Sequence, residues 1–289
     1  MKPDARAALR RFYQENAAYC EDLLAHDAAY HRGFLAFVAR WLDARRFPRL
    51  LDLGCGTAAS TACLSELGFR VVGSDLSPLF LSEGRRRCGA ESLVCGDAFA
   101  LPFGDGAFDA VVSYEFIEHV PDVPRVLAEM ARLTRPGGRI LISSPNLCSP
   151  FFALADVVNL LCGRGGRPVF APTLPRALAW MLHNTRLCLS KLFSPEPTFL
   201  YREPDLSGKV VGGDADSAYL AHPYDLAREL SRLGCRVLSR ASGARLHTRA
   251  VAALLPAFAP FIGIVAEKKR TDDCPRNQAV SSSCSARKR

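Results

Sequence analysis

The stretch Leu50-Leu51-Asp52-Leu53-Gly54-Cys55-Gly56-Thr57 decides the fold. Its apolar residues predict a buried strand, and its glycines allow a tight turn in which the backbone approaches a ligand closely. The helix expected after this turn offers unpaired amides and the positive end of its dipole. The next apolar run, Val71–Ser74, leads to Asp75, whose carboxylate is placed to accept hydrogen bonds from a ribose diol. These features predict a site for a nucleoside-containing cofactor.

Composition limits the architecture and the compartment. The chain has 289 residues, of which 49% are hydrophobic, enough for one large α/β domain with an insertion. Its eleven cysteines are odd in number and include no C-x-x-C pair, which favours unpaired thiols in a reducing compartment. The N-terminus lacks the apolar run of a signal peptide. We therefore expect a cytoplasmic protein.

The positive charge is concentrated at the C-terminus. Residues 267–289 hold seven basic and three acidic residues, which is half of the net charge of +8. Because this segment has little apolar content, residues 269–289 are predicted to be a disordered basic tail. A solubilising role is favoured over binding of nucleic acid or anionic lipid, which both remain alternatives.

The rest of the chain divides into four parts. Residues 1–48 are predicted to form two N-terminal helices with a break near Asp27–Gly33, and residues 49–146 a cofactor-binding core. An insertion at 147–221 follows, and residues 222–268 return to the core. The predicted strands are short, apolar and separated by helices, which is typical of a parallel sheet covered on both faces. They are Arg49–Leu53, Arg70–Ser74, Ser92–Cys95, Phe108–Ser113, Arg139–Ser143, Arg236–Ser239 and Phe261–Glu267.

One uncharged segment raises the question of a membrane span. Residues 250–266 carry no charge, but the segment is short for a span and is interrupted by Pro256 and Pro260. A short helix followed by a buried strand explains it better. We predict no transmembrane segment and leave peripheral membrane contact open.

The identity of the cofactor depends on the motifs that follow the glycine turn. Gly54-x-Gly56-x-x-Ala59 with an acid further on also fits a dinucleotide fold, and alone this signal is weak. Four more features add to it: Asp52 inside the strand, Cys95-Gly96-Asp97-Ala98 after the third strand, Phe108–Ser113 as the fourth strand, and the turn Arg135-Pro136-Gly137-Gly138-Arg139 before the fifth.

With these motifs, residues 49–146 resemble the class I S-adenosylmethionine-dependent methyltransferases of the ubiquinone and menaquinone biosynthesis type. The resemblance implies an α/β fold with a doubly wound, Rossmann-like, seven-stranded sheet whose last strand is antiparallel. It places Asp52, Gly54 and Gly56 along the methionine moiety, Asp75 at the ribose hydroxyls, and Asp97 with Ala98 at the adenine. It assigns four neighbours to the same cofactor site: Cys55, Leu76, Ser113 and Tyr114.

The acceptor side is expected around Glu115-x-x-Glu118-His119. A helical turn would put Glu115, Glu118 and His119 on one face, and two carboxylates with an imidazole suit Mg²⁺, Mn²⁺ or Zn²⁺. The pattern is similar to that of two metal-using classes, the O-methyltransferases of ubiquinone biosynthesis and the small-RNA 2′-O-methyltransferases. In the second class a further histidine completes the metal site, and the resemblance implies that His222 takes this place. The alternative is a metal-free site in which His119 is the general base. Both His119 and His222 are therefore catalytic candidates.

The insertion completes the functional hypothesis. It contains seven prolines and several apolar clusters, so we expect a mainly helical lid over the ligand-binding edge, with an ordinary extra subdomain as the alternative. Such a lid favours a small lipophilic hydroxylated acceptor, such as a quinol, a polyketide or a lipid-linked sugar, and O-methylation. One alternative is an RNA 2′-O-methyltransferase, although the sequence shows no basic surface interleaved with aromatic residues that would bind RNA. The other alternative is a non-catalytic or NAD-type nucleotide-binding module.

Overall fold

Seven strands form one sheet in the order β3-β2-β1-β4-β5-β7-β6. A computed structural model describes residues 3–26, 28–88, 92–162, 173–206, 216–240 and 254–270. Strands β1 to β5 pair in parallel, and β7 pairs antiparallel to both of its neighbours. The sheet confirms the predicted doubly wound fold with an antiparallel last strand. Its strands are β1 Arg49–Leu53, β2 Arg70–Asp75, β3 Leu93–Cys95, β4 Phe108–Tyr114, β5 Thr134–Pro145, β6 Cys235–Ser239 and β7 Phe261–Lys268.

Helices cover both faces of this sheet. The described helices are α1 Pro3–Glu15, α2 Ala17–Leu24, α3 Ala28–Trp41, α4 Ala59–Glu66, α5 Pro78–Cys88, α6 Val123–Leu133, α7 Pro150–Leu161, α8 Leu174–Phe193 and α9 Pro223–Arg232. Val126 and Met130 of α6 and Leu226 of α9 are buried in the same core cluster, while Phe34 and Val38 of α3 are buried in a different one. A sheet buried on both faces explains why its strands read as continuous apolar runs.

The N-terminal region differs from the prediction of two helices. It contains three, because Asn16 ends α1 and begins α2 with a side-chain oxygen that accepts a hydrogen bond from the Tyr19 amide at 3.0 Å. This is the usual way in which asparagine caps a helix. The break predicted near Asp27–Gly33 was wrong for its larger part, since α3 begins at Ala28; Asp27 itself lies outside the described residues.

The turn predicted at 135–138 lies inside the fifth strand. Pairing between β4 and β5 jumps from Phe108 with Thr134 to Ala110 with Arg139, and Gly137 adopts a φ of +73° at this irregularity. The glycine therefore allows a bulge rather than a connection between helix and strand. Strand β5 begins at Thr134 and not at Arg139, where its apolar pattern begins.

Within the described part of the insertion, α7 and α8 form a helical hairpin that packs on the core. Lys191 of α8 donates hydrogen bonds to the Asp225 carboxylate of α9 and to the Thr198 carbonyl, and both charged side chains are buried. This ion pair joins the hairpin to the core helix α9. Residues 212–215 and the basic tail after residue 270 lie outside the described residues, and no helix among the described ones is both long and apolar enough to cross a bilayer.

Candidate functional site

A cavity of about 460 Å³ opens at the carboxyl ends of β1, β2 and β3. Strand ends of parallel α/β sheets commonly form ligand sites at this edge. The N-terminal helices provide the opposite wall with Arg10, Tyr13 and Leu23. The predicted cofactor residues that line this cavity are Gly54, Gly56, Asp75, Leu76, Asp97 and Ala98.

The glycine turn has the backbone conformation that its sequence predicts. Gly54 has a φ of +74° and Gly56 a φ of +54°. The Gly56 amide donates a hydrogen bond to Asp75 Oδ2, and the Ser77 amide donates one to Asp75 Oδ1, each at 2.9 Å. Burial raises the pKa of Asp75, although these amides favour its charged form. Asp75 therefore links the turn to the end of β2 at the wall of the cavity.

Asp97 lies further along the same wall. Its Oδ1 accepts a hydrogen bond from the Phe99 amide at 3.0 Å, and its Oδ2 lies 3.7 Å from an Arg10 guanidinium nitrogen of α1. Ala98 also lines the cavity. The acid is thus fixed by its own turn and lies beneath the first helix.

Two residues predicted to bind the cofactor lie away from the cavity walls. Asp52 is only 1% exposed and accepts hydrogen bonds from the hydroxyls of Ser60 and Thr61 at 2.7 Å each. Burial raises the pKa of Asp52 to about 6, against the opposing effect of these two hydrogen bonds. Asp52 therefore joins β1 to the first turn of α4. Ser113 is fully buried within β4.

A second cavity of about 380 Å³ adjoins the first. Both cavities are lined by Gly54, Gly56, Glu115 and His119, and Cys55 and Tyr114 line the second one. The walls of the second cavity are rich in aromatic and imidazole rings, which provide flat apolar faces with polar edges. These rings belong to Tyr19, His26, Tyr30, His31, Tyr114, Phe152 and Phe261.

His119 lies where the two cavities meet, in a hydrogen-bonded network. Its Nδ1 is 3.2 Å from Asp216 Oδ2 and 3.0 Å from the Tyr13 hydroxyl, which itself donates to Asp216 Oδ2 at 2.7 Å. Burial by itself raises the pKa of Asp216, but the His119 imidazole and these hydrogen bonds lower it well below its ordinary range. Burial and the nearby Asp216 raise the pKa of Tyr13. The network holds an ionised carboxylate against one nitrogen of the imidazole.

The described residues do not bring the predicted metal-ligand set together, so the structure gives the metal prediction no support. Glu115 has a φ of +49°, and only Ile117–His119 forms a short 3-10 turn, so the expected single helical face does not exist. Glu118 is fully buried and accepts a hydrogen bond from the Ser144 hydroxyl at 3.1 Å. Among the residues that the structure describes, no group of three or more histidine, cysteine or acidic side chains could hold a metal ion.

His222 lies outside both cavities. It is fully buried and caps α9 by accepting a hydrogen bond from the Tyr224 amide at 3.4 Å. Burial, with the nearby Lys191 and Arg228 cations, lowers the pKa of His222 to about 3. A neutral imidazole that caps a helix explains its position, and neither a metal ligand nor a general base is needed there.

Sequence reasoning missed Tyr13 and Asp216 as site residues. Tyr13 stands in an amphipathic helix, where an aromatic residue reads as packing, and Asp216 ends a glycine-rich acidic cluster that reads as a loop. The cover of the first cavity also comes from the N-terminal helices, whereas the described insertion contributes only Phe152 and Asp216, both to the second cavity. The acidic cluster was the one signal that pointed to Asp216.

Comparison with known proteins shows that a central part of the chain is similar to methyltransferases. Residues 51–142 match the family model described as a methyltransferase domain. The chain is 44% identical over 115 residues to demethylmenaquinone methyltransferase of Beutenbergia cavernae, covering 39% of this chain and 48% of that protein. It is 35% identical over 151 residues to ubiquinone biosynthesis O-methyltransferase of Xanthomonas oryzae pv. oryzae, covering 49% of this chain and 63% of that protein.

These matches are partial, and a structural comparison extends them. The chain spans between about half and two thirds of the length of these two curated relatives. The solved structure of Burkholderia thailandensis 1,6-didemethyltoxoflavin-N1-methyltransferase is similar with a TM-score of 0.53 and 19% identity, covering 93% of this chain and 92% of that one. At this identity the likeness establishes the fold. The family match favours the methyltransferase interpretation over the NAD-type alternative.

Proposed function

We propose that this chain is a class I S-adenosylmethionine-dependent methyltransferase of the ubiquinone and menaquinone type, with its methyltransferase domain at residues 51–142. It transfers a methyl group to a small lipophilic hydroxylated acceptor. The observation that carries the proposal is the position of His119, which lines both the cavity beneath the glycine turn and the ring-lined second cavity. A side chain at this junction can contact an acceptor at the point where a methyl group would pass from one cavity to the other.

The residues of the first cavity fit S-adenosylmethionine. A Cβ at Gly54 would lie 2.1 Å from the Phe116 ring, so this part of the turn has room for backbone alone. Asp75 would accept the ribose hydroxyls and Asp97 the adenine amino group, because ionised carboxylates accept several hydrogen bonds. When bound, S-adenosylmethionine supplies a methyl group on a sulfonium that already contains its leaving group.

His119 would act as the general base. With a proton on Nδ1 that is donated to Asp216, the neutral imidazole keeps Nε2 as its basic nitrogen. As the acceptor oxygen takes the methyl group, Nε2 takes the hydroxyl proton, and Asp216 stabilises the positive charge that results. Glu118 Oε1 lies 3.8 Å from Nε2 and supports the same charge. Asp216 acts through His119 and is a positioning residue.

The proposed acceptor is a hydroxylated aromatic ring, such as a quinol, methylated on oxygen. The rings of Tyr30, Tyr114, Phe152 and Phe261 suit an aromatic partner, since aromatic pairs gain stability beyond the area they bury. The names of two relatives refer to demethylmenaquinone and to O-methylation in ubiquinone biosynthesis, which supports a quinol-type acceptor.

The test is methyl transfer from labelled S-adenosylmethionine to a panel of catechols and prenylated hydroquinones, read by mass spectrometry. His119→Ala is expected to lower kcat by about 10²–10⁴-fold, the usual contribution of a general base. Asp216→Asn should lower kcat with little change in KM and alter the pH profile. Exposed His183 on α8 gives a matched control, and His183→Ala should retain full activity.

Three outcomes would contradict parts of this proposal. Unaltered kinetics of His119→Ala would exclude the base, and loss of activity on exhaustive chelation would exclude a metal-free site. Normal binding of S-adenosylhomocysteine without transfer to any member of the panel would exclude the acceptor class while leaving the cofactor assignment intact.

A further inference from the structure

Helix α7 exposes an apolar face. Its exposed side chains include Phe151 and Leu154 at 38%, Val158 at 42% and Leu161 at 67%. These positions follow the spacing that keeps residues on one side of a helix. The opposite side, with Ala153, Asp156 and Val157, is buried. Every exposed side chain between residues 151 and 161 is apolar.

Helix α8 carries further exposed apolar side chains in two pairs. Leu178, Leu182, Leu189 and Phe193 are separated by four, seven and four residues and are 40%, 57%, 43% and 80% exposed. These residues extend over about 22 Å of the helix, and Arg186 lies between the two pairs. Exposed apolar patches of this size often mark interaction sites.

The adjoining segment before β7 extends the apolar surface. Leu254 and Leu255 are 80% and 54% exposed. The chain just after them is fixed to the start of the hairpin, since Asn146 Nδ2 donates to the carbonyl of Ala257 and the Ser149 hydroxyl donates to that of Phe258. Three neighbouring segments therefore carry exposed leucine, valine or phenylalanine.

The exposed charges on the two helices α7 and α8 have one sign. Between residues 150 and 195 the sequence has one acidic residue, Asp156, and it is only 1% exposed. Arg176 and Arg186 are exposed on α8. Apolar helix faces flanked by arginine are complementary to a bilayer with anionic headgroups.

We infer that the α7–α8 hairpin, with Leu254 and Leu255, is a peripheral docking surface for a membrane that contains anionic lipid. A second copy of the chain fits less well, because a symmetric pair would add a second set of arginines to the contact without an exposed acidic side chain on either hairpin to balance them. The hairpin lies on the bilayer surface in this arrangement and does not cross it.

The docking surface is continuous with the wall of the second cavity. Phe151 is exposed, whereas its neighbour Phe152 lines that cavity and lies 6.2 Å from the Phe261 ring, measured between centroids. A docked hairpin therefore brings the rim of the cavity to the lipid, where a lipophilic acceptor would be dissolved. This last step rests on the proposed function; membrane binding itself does not.

The test is sedimentation of the full chain with vesicles of phosphatidylcholine alone or mixed with phosphatidylglycerol, without cofactor or acceptor. We expect binding to the mixed vesicles only. The combined substitution Leu182→Ser and Phe193→Ser should weaken it at least about ten-fold through lost apolar burial. Arg186→Glu should weaken it about ten-fold through lost headgroup attraction. Leu67→Ser, which alters a 45% exposed leucine at the end of α4, is the matched control and should bind normally.

Several results would overturn the inference. They are no binding of the full chain to the mixed vesicles, undiminished binding of the Leu182 and Phe193 variant, or an equal loss in Leu67→Ser. A dimer seen by light scattering that the same two substitutions dissociate would assign the surface to a second copy. Thermal melting and binding of S-adenosylhomocysteine, both unchanged in the variants, exclude misfolding as the cause.

Discussion

Replacement of Gly54 by alanine tests the assignment of the cofactor cavity without any knowledge of the acceptor. Two separate costs follow from the geometry of this residue. Its φ of +74° is one that side chains with a Cβ adopt at a cost of about 1–2 kcal/mol. In addition, the new Cβ would lie 2.1, 2.4 and 2.9 Å from three atoms of the Phe116 side chain, well inside van der Waals contact.

The steric cost falls on the site itself. Phe116 lines the first cavity, so its ring must move by more than an ångström, and overpacking of this kind costs about 1–3 kcal/mol. Together the two effects should destabilise the folded protein by about 2–5 kcal/mol. Because the ring and the turn both belong to the cavity wall, we expect the affinity for S-adenosylhomocysteine to fall at least about ten-fold, which corresponds to about 1.4 kcal/mol.

Two other glycines separate these effects. Gly234 has a φ of +80° with no atom within 4 Å of an added Cβ, so Gly234→Ala should show the backbone cost alone. Gly104 has the same free space without a positive φ, so Gly104→Ala should be neutral or slightly stabilising. Urea unfolding gives the stabilities, and isothermal titration calorimetry gives the affinity. Wild-type affinity in Gly54→Ala, or an equal loss of affinity in Gly234→Ala, would refute the reasoning.

Two further predictions concern buried carboxylates. Burial raises the pKa of Asp109, but hydrogen bonds from Arg49 and Arg135 more than offset this and lower the pKa to about 2 from its ordinary 3.8. These contacts therefore contribute about 2 kcal/mol of stability above pH 4, which is lost as the pH falls towards 2. Asp109→Asn should show this loss at pH 7 by urea unfolding. If the free energy of unfolding still differed between the variant and the wild type near pH 2, the argument would be contradicted. Tyr13→Phe keeps the ring but removes the hydrogen bond to Asp216, so amide hydrogen exchange in α1 should become faster by about 10–100-fold. Unchanged exchange would mean that other contacts hold α1 in place.

The sheet could be predicted because each strand is defined by local chemistry. Strands buried on both faces need continuous apolar residues, and the glycines and prolines between them mark turns. The bounds of β1 agree with the prediction, whereas β5 begins earlier because a bulge at Gly137 keeps a polar segment in the ladder. A bulge requires knowledge of the partner strand, which the pattern along one strand does not contain.

The site was harder to predict, since its network joins distant parts of the chain. Tyr13 is 106 residues from His119 and 203 from Asp216, and neither spacing has meaning before the fold is known. The metal hypothesis lacks structural support for a local reason. The E-x-x-E-H pattern has ligand spacing only on a continuous helix, and the positive φ of Glu115 interrupts that helix one residue after β4 ends.

The same network joins the first helix to His119. Helix α1 is held over the first cavity by the pairs Arg6 with Asp122 and Arg10 with Asp97, at 3.3 and 3.7 Å. Both arginines are largely exposed, and such pairs contribute about 0–1 kcal/mol each. The hydrogen bond from Tyr13 to the ionised Asp216 belongs to a stronger class, worth about 1.5–3 kcal/mol. The strongest of these polar contacts of α1 is therefore the one that also fixes Asp216, so the same hydrogen bond holds α1 over the first cavity and orients the partner of the proposed base.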